Sequence, residues 1–333
     1  MRVAVIGAGG WGTALSVVAA RAGREVRLWS RNASVVEDIN ERRVNGAYLE
    51  GYAVPAGVRA TTEADEALKG AGVVVLAAPS HATRAVLENM RGLFEPGAVF
   101  VSATKGVEFE TGRRISEVVG EVLGEAAALR FACLSGPSFA REVAAGQPTA
   151  VVASSGDESL ARLVQLAFSA HNFRVYTNPD VVGTELGGAS KNVMALAAGM
   201  VAGLGANTVS ALVTRGLAEM TRLALAEGGR PETLTGLAGL GDLVLTCTGG
   251  LSRNRFVGQE LGRGRALEDV LAGMREVAEG VRTTRAVRLL AARRGVEMPI
   301  TEEVHAVLYD GRPARAAVES LISRPLKGEF ETS

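Results

Sequence analysis

The first sixteen residues, MRVAVIGAGGWGTALS, constrain the fold more than any other stretch of the chain. Val3 to Ile6 is a short apolar run, the pattern of a strand buried on both faces. Gly7, Gly9 and Gly12 follow with G-x-G-x-x-G spacing, and Thr13 to Arg21, rich in Ala, Leu and Val, predicts a helix. Between a strand and a helix, each of these glycines has a physical task in holding a dinucleotide. One makes the tight turn, one lets the backbone approach a pyrophosphate, and one lets helix and strand pack closely. The N–H groups opening the helix then face the phosphates. The uncharged Val3 to Ala20 stretch behind Arg2 also resembles a secretion signal, but Gly7, Gly9, Gly10 and Gly12 would be poor in a helical apolar core.

The 333 residues suit two domains with a large core. Lys+Arg and Asp+Glu both number 36, which argues against nucleic acid or an anionic membrane as the main partner. Cys133 and Cys247 match no C-x-x-C spacing and read as buried thiols of a reducing, cytoplasmic compartment. His81, His171 and His305 lie far apart in sequence, so no metal site is expected. The basic residues are nearly all arginine; only Lys69, Lys105, Lys191 and Lys327 are lysine. A retained lysine can mark a place that needs a compact, titratable amine, although Lys69 and Lys327 sit in polar surroundings.

Glu25 to Trp29 reads as the second strand, ending in Ser30-Arg31-Asn32 with no carboxylate for a ribose 2′-OH. Arg31 is placed to meet a 2′-phosphate, which favours NADP(H) and leaves NAD(H) open. Val73 to Ala77 is a third strand, followed by a helix to Met90 with Ser80 as its expected N-cap and His81 as a solvated residue at its start. Ala98 to Ser102 closes on Thr104-Lys105-Gly106, so Lys105 lies past a strand's carboxyl end, where open α/β sheets bind ligands. Arg130 to Leu134, Ala150 to Ala153 and Phe173 to Tyr176 complete the strands, with a helix from Glu158 to Phe168.

The alternation predicts a doubly wound, mostly parallel Rossmann-type α/β domain over residues 1–178. Beyond Thr177-Asn178-Pro179-Asp180 the patterns are helical, giving an all-α substrate and catalytic domain over 179–333. Residues 192–214 carry no charge, but Asn192, Asn207, Thr208 and Ser210 and the Gly203-Leu204-Gly205 break predict two buried helices rather than a membrane span. Lys191 is the sole charge between Glu185 and Arg215, and Gly187 and Gly188 before it suit the close approach of another group, a cofactor among them. A desolvated lysine can donate and accept a proton near neutral pH. Ser252 is read as the N-cap of a helix opening with Arg253 and Asn254, a natural phosphate clamp.

The segments GAGGWGTAL, SATKG, LSGPSFA, GGASKNVMALAAG, AGLGDLVLTC, SRNR and VAEGV occur in this order along nearly the whole chain. In these the chain resembles the bacterial NAD(P)-dependent glycerol-3-phosphate dehydrogenases. The resemblance implies reversible reduction of dihydroxyacetone phosphate to sn-glycerol 3-phosphate, feeding phospholipid synthesis. It implies that Lys191 is the acid and base and that Lys105 contacts both cofactor and substrate. Gly136, Ser138, Asp242, Thr246, Ser252, Arg253 and Asn254 would line the substrate site. Gly10, Trp11, Arg31, Ala140, Arg253, Val277 and Glu279 would hold the cofactor, beside Gly7, Gly9 and Gly12. Position 10, often Ser in that family, is Gly here. Asp242 could orient Lys191 or a substrate hydroxyl, or simply stabilise a turn. Two other readings are a related hydroxy-acid dehydrogenase and a non-catalytic NADPH-binding sensor. The sequence leaves the oligomeric state open, a homodimer included.

Overall fold

The computed structural model describes residues 1–274, 278–326 and 328–329; Val277 and most of the tail from Lys327 lie outside the described residues. Eight strands form one sheet: β1 (Arg2–Ile6), β2 (Glu25–Trp29), β3 (Val58–Thr61), β4 (Ala71–Leu76), β5 (Val99–Ser102), β6 (Phe131–Ser135), β7 (Thr149–Ser154) and β8 (Phe173–Asn178). Their order is β8-β7-β6-β5-β4-β1-β2-β3, parallel throughout except for the antiparallel β6–β7 pair. The central strands need both faces apolar because each face meets its own hydrophobic layer. Val3 and Val5 join one layer, and Ala4 and Ile6 join the other. The stretch that resembled a secretion signal is thus a core strand and the helix after it.

Helices α1 (Gly10–Arg21), α2 (Ser80–Met90), α3 (Ile115–Leu123), α4 (Ala140–Ala144) and α5 (Glu158–Phe168) flank the sheet. After β8 the labelled elements are all helical: α6 (Val181–Met200), α7 (Ala206–Ala226), α8 (Asp242–Thr248), α9 (Arg253–Gly262), α10 (Glu279–Arg294), α11 (Pro299–Tyr309) and α12 (Ala314–Ile322). Helix α6 is enclosed along almost its whole length and forms the axis of the helical half. Helix α7 buries one face only, a correction to the expected pair of enclosed helices. The break between them is a short 3-10 turn followed by Gly205 at φ +102.

Periodicity missed β3, the hairpin of Val44–Asn45 with Leu49–Ala53, and α3. The strands are too short to show a period. Helix α3 carried a legible start signal, since the backbone N–H of Arg114 donates to Glu117 three residues on (2.8 Å). Ser80 is not an N-cap. It is the first residue of α2, the cap position falls on Pro79, and no side chain caps that helix.

Candidate active site

The glycine-rich turn has the geometry that a dinucleotide requires. Gly7 adopts φ +114, and a Cβ there would press on the backbone of Ala77 and Ala78 at 3.0 Å. Gly12 lies against the Gly7 carbonyl, 1.9 Å from where its Cβ would be, so helix and strand pack as only glycine allows. A Cβ on Gly9 would meet nothing within 4 Å, which leaves room beside the first turn of α1 for a pyrophosphate. These observations fit a nicotinamide dinucleotide. Gly10 faces the Tyr48 carbonyl and the Cβ of Ala140, which opens α4. The Trp11 ring lies 5.7 Å from Lys105 Nζ, so the turn reaches the expected substrate site. Arg31, just past β2, is exposed.

Lys191 projects from α6, buried but for 5% of its surface. Its Nζ donates to Asp242 Oδ1 (2.6 Å) and Thr246 Oγ1 (3.0 Å). Thr246 must accept that bond, since its own hydroxyl donates to the Asp242 carbonyl (2.6 Å) one helical turn back. Among the described residues, two of the three ammonium hydrogens are therefore fixed, and the third is left for a substrate oxygen. Burial pulls the Lys191 amine down to about 8, against the upward pull of Asp242 and with a further downward push from Lys105.

Lys105 is held just as closely. Its Nζ donates to the Gly136 carbonyl (2.9 Å), Ser138 Oγ (3.1 Å) and Asp242 Oδ2 (2.9 Å). Asp242, 1% exposed, thus lies between two ammonium groups and accepts from both. A turn-stabilising role does not account for a buried carboxylate placed this way. Gly136 is held at φ +131, where a Cβ would meet Val151 Cα at 3.0 Å, and this conformation presents its carbonyl to Lys105.

The two glycines before Lys191 accommodate protein. A Cβ on Gly187 would meet the Ala238 carbonyl at 2.7 Å, and one on Gly188 would meet Ser135 Oγ at 2.9 Å. This corrects the expectation that a cofactor could fill that space.

Helix α9 packs on α6 through glycines on both helices, with Gly258 against the Leu196 carbonyl and Gly199 against the Arg255 carbonyl. That close approach brings the Ser252-Arg253-Asn254 start of α9 to Lys191 and its neighbour Asn192. Ser252 caps the helix, accepting from the Arg255 N–H (3.2 Å). Arg253 is exposed beside it. Asn254 donates to Asn192 Oδ1 (2.9 Å) and accepts from the Gly280 N–H (2.9 Å), while Asn192 donates to the Lys105 carbonyl (3.0 Å). Much of the Asn254 amide is therefore spent inside the protein. Asn192 was missed as part of this arrangement, although an amide beside the sole charge between Glu185 and Arg215 was a usable signal. Glu279 opens α10 with its acid raised by burial and opposed by the positive charge of Arg253.

Models of the NAD-dependent glycerol-3-phosphate dehydrogenase N-terminus and C-terminus match residues 2–161 and 180–319. A glycerol-3-phosphate dehydrogenase [NAD(P)+] of Koribacter versatilis is 56% identical over 328 residues, covering 97% of each chain. One of Geobacter sulfurreducens is 53% identical over 330 residues, covering 98% of each. The crystal structure of the Coxiella burnetii glycerol-3-phosphate dehydrogenase superposes with a TM-score of 0.92 at 40% identity, covering 97% of this chain and 99% of that one. With both halves matched in order, this chain belongs to the NAD-dependent glycerol-3-phosphate dehydrogenase family of nicotinamide-dependent oxidoreductases.

Proposed function

We propose that this chain reduces dihydroxyacetone phosphate to sn-glycerol 3-phosphate, and runs the reverse, with Lys191 as the acid and base and NADPH favoured over NADH. The observation that carries this reading is the Lys191 amine, buried, aimed by Asp242 and Thr246, and drawn down to about 8. An amine titrating there holds a proton to give at neutral pH and releases it readily enough to take one back. In reduction the Lys191 ammonium protonates the carbonyl oxygen. In oxidation the neutral amine takes the proton of the secondary hydroxyl. The nicotinamide, when bound, supplies or receives the hydride at the carbon.

The other residues bind and orient. Lys105 has its hydrogens on Gly136, Ser138 and Asp242, so a ligand oxygen replaces one of these partners. Arg253, beside the capped start of α9, grips the substrate phosphate and sets the carbonyl at Lys191. The Gly7–Gly12 turn, Ala140, Arg253, Val277 and Glu279 hold the cofactor, and Arg31 meets its 2′-phosphate. Residues 1–178 act as the dinucleotide-binding domain and 179–333 as the substrate and catalytic domain. Cys133 and Cys247, free and buried in separate cores, suit the reducing cytoplasm. An absorbance assay with dihydroxyacetone phosphate and each reduced cofactor tests the reading. Oxidation of NADPH faster than NADH is expected; no turnover with either would overturn the reading.

A further inference from the structure

The hairpin of Val44–Asn45 with Leu49–Ala53 lies outside the eight-stranded sheet and supplies none of the residues assigned to substrate or cofactor. Its Asn45 is nevertheless wholly buried, at 0% exposure. The amide spends both of its hydrogens on the glycine-rich turn and the helix that follows it. Asn45 Nδ2 donates to the Ala8 carbonyl (2.9 Å) and to Thr13 Oγ1 (2.8 Å). Asn45 Oδ1 accepts from the Tyr48 N–H (3.1 Å), which fixes the tip of the hairpin. That tip also meets the turn, because the Tyr48 carbonyl lies 3.0 Å from where a Gly10 Cβ would be.

Ala8 stands between Gly7 and Gly9, and its carbonyl shares a peptide plane with the Gly9 N–H. The peptide is trans, so the two groups point in opposite directions. With the carbonyl held by Asn45, the Gly9 N–H is turned away from the hairpin. Gly9 is the N-cap of α1, so this N–H is among the donors that a helix N-terminus offers to an anion. The same plane is easy to rotate, since Gly9 has no Cβ to resist a change of φ. A rotated plane would present the carbonyl oxygen, with its partial negative charge, where the donor had been. The turn therefore needs a group outside itself to choose between the two orientations, and the Asn45 amide is bonded where that choice is made.

We propose that Asn45 is a positioning residue for the cofactor, holding the Ala8–Gly9 peptide so that the Gly9 N–H faces the dinucleotide pyrophosphate. The proposal rests on the reading of Gly7–Gly12 as the cofactor turn. It is separable from the choice made at Arg31. The pyrophosphate is common to NADH and NADPH, so loss of the Asn45 amide weakens both by the same factor.

The test measures binding by fluorescence titration of NADH and NADPH, with thermal unfolding recorded in the absence of ligand. Wild type is compared with Asn45→Ala and Asn40→Ala. Asn40 is the control, because its amide also bridges backbone groups, donating to the Ala60 carbonyl (2.8 Å) and accepting from the Ala60 N–H (2.9 Å). Neither of those bonds reaches the turn. Asn45→Ala should raise Kd about tenfold for each dinucleotide that wild type binds, the size expected when a hydrogen bond to a charged group is lost. The ratio of the two Kd values should stay within about twofold of wild type. Asn40→Ala should change neither Kd by more than about twofold, even where its melting temperature falls as far as that of Asn45→Ala. An equal loss of affinity in Asn40→Ala would mark a merely structural effect and overturn the proposal, as would a loss confined to one of two bound cofactors. Where Asn45→Ala fails to fold, Asn45→Ser, with one donor hydrogen in place of two, is read against the same outcomes. If wild type binds the dinucleotides and the Asn45 variant binds them as tightly, the cofactor reading stands and only this inference falls. If wild type binds neither, both fall.

Discussion

Lys191 Nζ and Asp242 Oδ1 lie 2.6 Å apart, a buried ion pair whose carboxylate also serves Lys105 through its other oxygen. One negative charge therefore balances two positive ones, and the amine intended for proton transfer is the one more desolvated. Burial and Lys105 lower the Lys191 amine to about 8, while Asp242 stops it falling further. The sign of the pH dependence follows. Reduction needs the ammonium, so its kcat should decline as pH rises through about 8. Oxidation needs the free amine and should rise over the same interval. Rate profiles in both directions check this, and a shared pH-independent plateau would remove Lys191 from the proton transfer.

Lys191→Arg keeps the positive charge but forfeits a titratable amine. The expected loss is about 10²-fold or more in kcat, the usual contribution of general acid–base catalysis. Cofactor affinity, followed by fluorescence titration, should hardly change. Near-normal turnover in this variant would disprove the assignment.

Asp242→Asn leaves two ammonium groups facing each other without a counter-charge. Removing the carboxylate removes the upward pull on Lys191, so the basic limb of the reduction profile should move to lower pH. Breaking a buried pair costs about 3–5 kcal/mol when the orphaned charge stays, and deprotonation of a lysine limits that cost. Thermal unfolding should accordingly show the variant less destabilised at pH 9 than at pH 6. A profile that kept the wild-type midpoint would show that Asp242 does not tune Lys191.

Arg31→Asp and Arg253→Ala separate the two phosphates of the reaction. The first should lower the kcat/KM ratio for NADPH over NADH at least tenfold, about 1.4 kcal/mol of discrimination. The second should cost most of the activity on dihydroxyacetone phosphate and little of the activity on unphosphorylated dihydroxyacetone, with kcat falling as well as KM rising. Because Glu279 and Arg253 are also proposed to hold the cofactor, NADPH affinity is measured alongside. Equal proportional losses on both substrates, with cofactor binding intact, would move phosphate recognition to Lys105 or the Gly136–Ser138 turn.

Glu219 offers a test of stability far from this chemistry. From α7 it accepts from the backbone N–H groups of Ile300 (2.6 Å) and Thr301 (3.3 Å) at the start of α11. Burial raises its acid from 4.5 to about 7. The folded state therefore binds this proton more tightly than the unfolded chain, and the stability so gained is present below about 4.5 and lost as pH rises through about 7. The difference between wild type and Glu219→Gln in denaturant unfolding should change by up to about 3 kcal/mol across that window, against wild type at the higher pH. A constant difference would mean that Glu219 is not protonated in the fold.

What the sequence by itself determined is whatever neighbouring residues can encode. The Gly7–Gly12 turn, the apolar runs of the central strands, the change to helices after Asn178 and Lys191 as the sole charge between Glu185 and Arg215 are all local. Strand and helix periods, the left-handed φ open to glycine and the scarcity of lysine are properties of adjacent positions. The Ser252 cap was legible for the same reason. Only the tertiary structure decided that Asp242 would serve both lysines, since it lies 51 positions from Lys191 and 137 from Lys105. It also turned Gly187 and Gly188 toward protein and spent the amide of Asn254 on Asn192 and Gly280. These outcomes depend on how closely helices α6, α8, α9 and α10 approach one another and the sheet. That approach is set by side-chain volume and glycine contacts summed over the whole core, which no local period carries.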